Sequence, residues 1–242
     1  AGVPGVMIVS YQKIIEELIL PDSFTKMNMN KEDFTSDPEQ AKATLNKDVA
    51  LDASGLTHIK SGTFKANNTI ITPDPANNRI KIDFSLDDIK FDEQLQDALN
   101  ANLLITALKT IQDAADKNMT YKATWSGYFT FKLTETTNGT TGETEKTVSA
   151  DYTQTTPDVS VVDTQMVWRV IEDIGTLGTD ELHTLANLNN VTDNITSYIN
   201  TKAGQVLSGI HECVELPGEA VFTFSGDVDC YYLGLRIHLV YK

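Results

Sequence analysis

Between Ile80 and Leu86 the apolar side chains fall on every second position: Ile80, Ile82, Phe84 and Leu86 alternate with Lys81, Asp83 and Ser85. That period constrains the chain more than any other feature, because only a strand with one face buried and one wet carries it. The same period returns at Trp125, Gly127, Phe129, Phe131 and Leu133, with Thr124, Ser126, Tyr128 and Lys132 on the opposite face. It appears a third time near the end, where Tyr231, Leu233, Leu235, Ile237 and Leu239 alternate with Gly234, Arg236 and His238.

A helical period interrupts the strands three times. Residues 6–20, VMIVSYQKIIEELIL, are apolar-rich and stop at Pro21, which predicts a helix. Leu95, Leu99, Ile105, Leu108 and Ile111 predict a second helix over residues 93–117. The longest run lies at residues 180–214. There Leu182, Leu185, Leu188, Val191, Ile195, Ile199, Val206, Ile210 and Cys213 step by three, four or seven. Such a helix is about 45 Å long, carries one apolar stripe, and ends at Leu216-Pro217-Gly218. Residues 21–46 are polar and read as a connection or a short helix (PEQAKATLN). PDPANN at 73–78 and TTNGTTGE at 136–143 read as turns. Ser225-Gly226-Asp227 reads as a third, between the last two strands.

The order of elements predicts an α+β fold in one domain over residues 1–242. Its expected form is a strongly curved antiparallel β-sheet wrapped around one long C-terminal amphipathic helix, with an additional C-terminal β-hairpin. A chain of 242 residues buries enough core to need no staple.

The net charge of −15 argues against a nucleic-acid partner and against anionic membranes. No run of 18 apolar residues is present, so no transmembrane segment is expected. Cys213 falls on the helical stripe and Cys230 on the inward face of a following strand. One disulfide or two buried thiols are the options, and the disulfide is the expectation. Closing that loop is worth about 3 kcal/mol in chain entropy. Asn-x-Thr sequons stand at Asn67, Asn118, Asn138, Asn190 and Asn194. With the cysteine pair they point to a secreted, extracellular glycoprotein.

Motifs for chemistry are sparse. HExxH, GxSxG, a P-loop and EF-hand spacing are all absent, so neither an enzyme nor a metal site is expected. The acidic run Asp83, Asp87, Asp88, Asp92 and Glu93 reads as a solvated strand end.

Three stretches carry a resemblance. They are VALDASGLTHIKSGTFKANNTIITPDPANNRIKIDFSL at 49–86, YKATWSGYFTFKLTETTNGTTGETEKTVSADY at 121–152, and the helix at 180–214 preceded by IEDIGTLG. In strand–glycine–turn order they resemble the takeout and juvenile-hormone-binding family and the related group 7 mite allergens, within the tubular lipid-binding superfamily. The chain departs from that pattern in three places: it lacks the N-terminal cysteine pair, has helical spacing at 93–117, and adds a C-terminal hairpin. The resemblance implies no cofactor beyond a bound apolar ligand such as a fatty acid, terpenoid or carotenoid, held in a tunnel between sheet and helix. Trp125, Phe129, Phe131, Trp168, Ile195, Ile199, Val206 and Ile210 are the expected lining. The alternative is a secreted structural or interaction protein, rich in strands, with a filled core.

Overall fold

A computed structural model describes residues 4–21, 24, 27–54, 59–91, 120–137, 139, 142, 144–155, 158–162, 214–216, 220–232 and 234–241. The described chain is mostly strand, with one helix of nine residues. This overturns the expected α+β arrangement of a sheet wrapped around a long C-terminal helix. The stretches that carried helical spacing at 93–117 and 180–213 lie outside the described residues.

Among the described residues, two antiparallel sheets share one apolar core. The smaller has four strands in the order β1 (Pro4–Ser10), β13 (Gly234–Tyr241), β12 (Ala220–Cys230) and β11 (Val214–Leu216). It joins the two ends of the described chain, with Pro4 opposite Val240 and Ser10 opposite Gly234. The larger has nine strands built on two long neighbours, β7 (Arg79–Phe91) and β8 (Thr120–Thr137). On its outer edge β7 pairs with β6 (Ile70–Asp74) and β5 (Ile59–Phe64), placed end to end. On its outer edge β8 pairs with β9 (Thr144–Gln154) and β10 (Asp158–Val162), again end to end. Strands β2 (Phe34–Asp37) and β3 (Lys42–Leu45) extend the sheet beyond β6, and β4 (Val49–Ala50) pairs with β5.

Sequence alternation and burial agree along β7 and β8. Ile80, Ile82, Phe84 and Leu86 are buried, as are Ala123, Trp125, Phe129 and Phe131. The expected hairpin at 136–143 is the β8–β9 connection, with Thr137 opposite Thr144. PDPANN is also a turn: Pro75–Asn77 form one 3-10 turn, and Asn78 closes it in the left-handed region at φ 53°. Asparagine tolerates that conformation.

Three local expectations are corrected. The predicted helix over 6–20 is strand in its first third, through Ser10. Val6 and Ile8 face out and Val9 packs inward on β1; then the Ser10 hydroxyl accepts from the Lys13 N–H at 3.3 Å and starts α1 (Tyr11–Ile14). α1 continues as a π-helical turn over Ile15–Ile19 and buries Tyr11, Ile14, Ile15, Leu18 and Ile19. β-branched residues and cross-strand partners on β13 outweigh the helical spacing there.

Residues 34–45 form the β2–β3 hairpin. Phe34, Ala43 and Leu45 are buried, and Ala43 pairs with Ile71 of β6, so tertiary pairing overrides the helix-forming residues of PEQAKATLN. Ser225-Gly226-Asp227 is not a turn but a bulge inside β12, where the register with β13 shifts between Phe224 and Val228. Gly226 takes φ 72°, which a residue with a Cβ adopts at a cost. The turn itself comes after Cys230, where Tyr231 and Gly234 exchange backbone hydrogen bonds.

Candidate functional site

The candidate site lies on the inner face of the nine-stranded sheet. Phe84 and Trp125 face each other across β7 and β8, and their rings stack with centroids 4.9 Å apart and an interplanar angle of 15°. Phe64 from β5 meets the indole edge-on at 6.3 Å. Phe24, which follows α1, meets Phe84 edge-on at 5.8 Å and Phe34 at the same distance. Further along β8, Phe129 lies 5.0 Å from Tyr152 of β9. The Tyr152 phenol crosses the backbone at Gly127, where a Cβ would come within 2.7 Å of its ring. Burial pushes the Tyr152 hydroxyl well above its ordinary range.

Among the described residues, two buried polar atoms of this apolar region have no hydrogen-bond partner: the Trp125 indole Nε1 and the Thr69 hydroxyl. Thr69 is fully buried and Trp125 is 5% exposed. Such orphans are uncommon, because each costs about 1–3 kcal/mol when buried.

The outer face of the same sheet is chemically different. A polar cleft of about 520 Å³ opens over Asp83, Ser85, Lys122, Thr124 and Ser126, with Ile70, Phe84 and Trp125 also contributing to its wall, beside Asn67, Asn68, Thr155 and Asp158. Its polar groups are largely committed to one another. The Ser126 hydroxyl donates to Asp83 at 2.7 Å, and Lys81 pairs with the same carboxylate at 2.8 Å. The Ser85 hydroxyl donates to Asp87 at 2.9 Å, and Lys122 pairs with Asp87 at 3.4 Å. Asp88 takes Lys65 at 2.9 Å at a β7 bulge, with φ 54°. Asp83, Asp87 and Asp88 of the acidic run are thus ion-paired strand residues, while Asp92 and Glu93 lie outside the described residues. Among the described residues no three His, Cys, Asp or Glu side chains group as metal ligands. No helix there is long and apolar enough to cross a membrane.

Of the residues expected to line a tunnel, Trp125, Phe129 and Phe131 are brought together in the core, none more than 5% exposed. Trp168, Ile195, Ile199, Val206 and Ile210 lie outside the described residues. Cys230 is a buried free thiol, and Cys213 lies outside the described residues. Burial raises the Cys230 thiol to about 11. The Cys230 backbone N–H donates to the Asn78 side chain, and the Tyr11 hydroxyl donates to the Tyr231 carbonyl, so the end of β12 is tied both to the large sheet and to α1. Asn67 is exposed in the left-handed region at φ 67°; Asn118, Asn138, Asn190 and Asn194 lie outside the described residues.

Sequence reading did not find Phe24, Phe64, Phe84, Tyr152 or Thr69 as members of the site. Phe84 and Gly127 carried a signal in their alternation. The others are brought in by strand pairing and chain reversal, which no local spacing encodes.

No family model matches the sequence, and neither does any curated protein. Among solved structures, P47 from Clostridium botulinum A2 aligns over 98% of this chain at 11% identity and a TM-score of 0.39. The chain spans about half of that structure, 47% of its length. A score of this size does not establish a shared fold, and it does not bear on the resemblance to the takeout family.

Proposed function

We propose that the chain is a secreted, non-enzymatic carrier of an apolar small molecule, held against the inner face of the nine-stranded sheet. A fatty acid, terpenoid or carotenoid fits that chemistry. The observation that carries this reading is the continuous apolar row on β7 and β8, from Ile80 to Ile89 and from Tyr121 to Phe131, with four aromatic rings at its centre. A face of that kind binds by removing ligand surface from water, at about 25 cal/mol per Å². A long-chain ligand burying a few hundred Å² gains roughly 8 kcal/mol before entropy costs. Exposure of Asn67, the acceptor of one Asn-x-Thr sequon, supports a secreted glycoprotein.

The test is organic extraction of the protein from its natural source, with mass spectrometry of the extract, alongside uptake of an environment-sensitive apolar probe. A lipid-class molecule in the extract supports the reading. An empty extract and no probe uptake overturn it.

One observation favours the second reading, a structural or interaction protein with a filled core. The rings of Phe24, Phe64, Phe84 and Trp125 already pack on one another. That reading expects self-association in size-exclusion chromatography with light scattering, and no apolar guest.

A further inference from the structure

Thr69 immediately precedes Ile70, which faces Asp83 across β6 and β7. Extending that register by one residue sets Thr69 level with Phe84, and Phe84 in turn faces Trp125. The two unpartnered polar side chains therefore flank one phenylalanine on a single row of the inner face. An indole N–H can only donate, so what satisfies it must be an acceptor. A buried water makes about three hydrogen bonds, and Phe64 and Phe84, which pack on the indole, offer none. An oxygen covalently attached to an apolar chain needs fewer partners, because its chain is held by burial.

We infer that the carried molecule is an amphiphile rather than a hydrocarbon, and that its oxygen accepts the Trp125 Nε1–H on the row shared with Thr69. This rests on the carrier reading above and sharpens it from an apolar ligand to an apolar chain ending in a hydroxyl, carbonyl or carboxyl oxygen.

Dodecan-1-ol and dodecane make the test, since they share a chain, and neither carries charge to be repelled by the acidic protein. A plain apolar cavity prefers dodecane, because the alcohol must leave its water behind. Here the alcohol-to-alkane affinity ratio, in which the loss of apolar contact common to both ligands cancels, is expected to fall about tenfold in Trp125→Phe. In the unsubstituted protein, dodecan-1-ol and not dodecane should move the Trp125 indole N–H resonance downfield. That resonance is identified by its proximity to the Phe84 ring protons, so this arm stands even where Trp125→Phe does not fold. An indole resonance unmoved by bound dodecan-1-ol, or an unchanged affinity ratio in Trp125→Phe, overturns the inference and leaves the carrier reading intact. Failure of both ligands to bind overturns the carrier reading itself.

Discussion

The two sheets of this protein solve the same packing problem with different surfaces. The nine-stranded sheet turns aromatic rings inward and covers its outer face with paired charges: Lys81 with Asp83, Lys122 with Asp87, and Lys65 with Asp48 and Asp88. The four-stranded sheet buries Phe224, Val228, Leu235 and Ile237, yet leaves Val6 and Ile8 on its edge strand 53% and 45% exposed. Among the described residues, one charged pair, Asp229 with Arg236, crosses β12 and β13 on its outer face at 2.8 Å, the guanidinium lying over the Tyr231 ring. The shape-specific packing lies in the nine-stranded sheet. Large rings with defined mutual angles fix the big sheet. Apolar burial and, among the described residues, three hydrogen bonds involving its backbone, from Tyr11, from Lys146 and to Asn78, hold the small sheet to the rest.

Breaking the aromatic side of this comparison should have the largest effect. Phe129→Ala is expected to lose about 3–5 kcal/mol in urea denaturation, against about 0.5–1.5 for Ile237→Val in the small sheet. Because one core joins both sheets, each variant should move a single unfolding transition. Two separate transitions would show that the sheets melt independently.

Next in size is Gly127, whose missing Cβ leaves room for Tyr152. Gly127→Ala should cost about 1–3 kcal/mol. In a double-mutant cycle with Tyr152→Ala that cost should shrink, since the ring it strikes is gone. Full additivity would contradict the close approach.

The link between the sheets can be separated from the turn that carries it. Asn78→Ala loses both the left-handed tolerance and the bond from the Cys230 N–H, at about 1–2 kcal/mol by thermal or urea unfolding. Asn78→Gly keeps the backbone conformation and loses only the bond, so it should be the milder variant.

The smallest effect is in acid. Burial raises the Asp33 carboxyl, but Lys47 at 2.6 Å and the Asn30 backbone N–H outweigh it and hold it below the ordinary carboxylate range. Its folded value thus lies under that of the unfolded chain, about 3.9. The stability it contributes is complete above that pH and is lost as the pH falls through the folded value. Asp33→Asn should flatten the acid limb of stability measured between pH 5 and 2. The Arg236 hydrogen bond lowers Asp229 as well, but that carboxylate is 36% exposed and solvent screens the pair. Asp229→Asn should leave the acid limb nearly unchanged, and an effect equal to that of Asp33→Asn would erase the distinction between the two sheets.

Reading by period worked where one side of a strand meets water. Ile80 to Leu86 and Trp125 to Leu133 named their own faces, and the loops after Thr72 and Glu135 named their own turns. It failed at Val6–Ser10 and at Lys42–Leu45, where short segments take their conformation from β13 and from β6. It also misplaced the last turn, because a glycine at a bulge and a glycine at a hairpin tip look alike in sequence. The candidate site was half legible: Trp125, Phe129 and Phe131 were found by alternation, and Phe24, Phe64, Tyr152 and Thr69 were not.

The amino-acid order alone settles which strands have a wet face, what net charge the surface carries and which motifs are missing, because these depend on near neighbours and on composition. Tertiary structure alone decided that β7 and β8 stand inside a nine-stranded sheet, that Pro4–Ser10 and Gly234–Tyr241 pair in a second one, and that an indole and a hydroxyl beside Phe84 are unpaired among the described residues. Each of those depends on groups far apart in the chain meeting in space, and hydrogen bonding between strands carries no local spacing that would announce its partner.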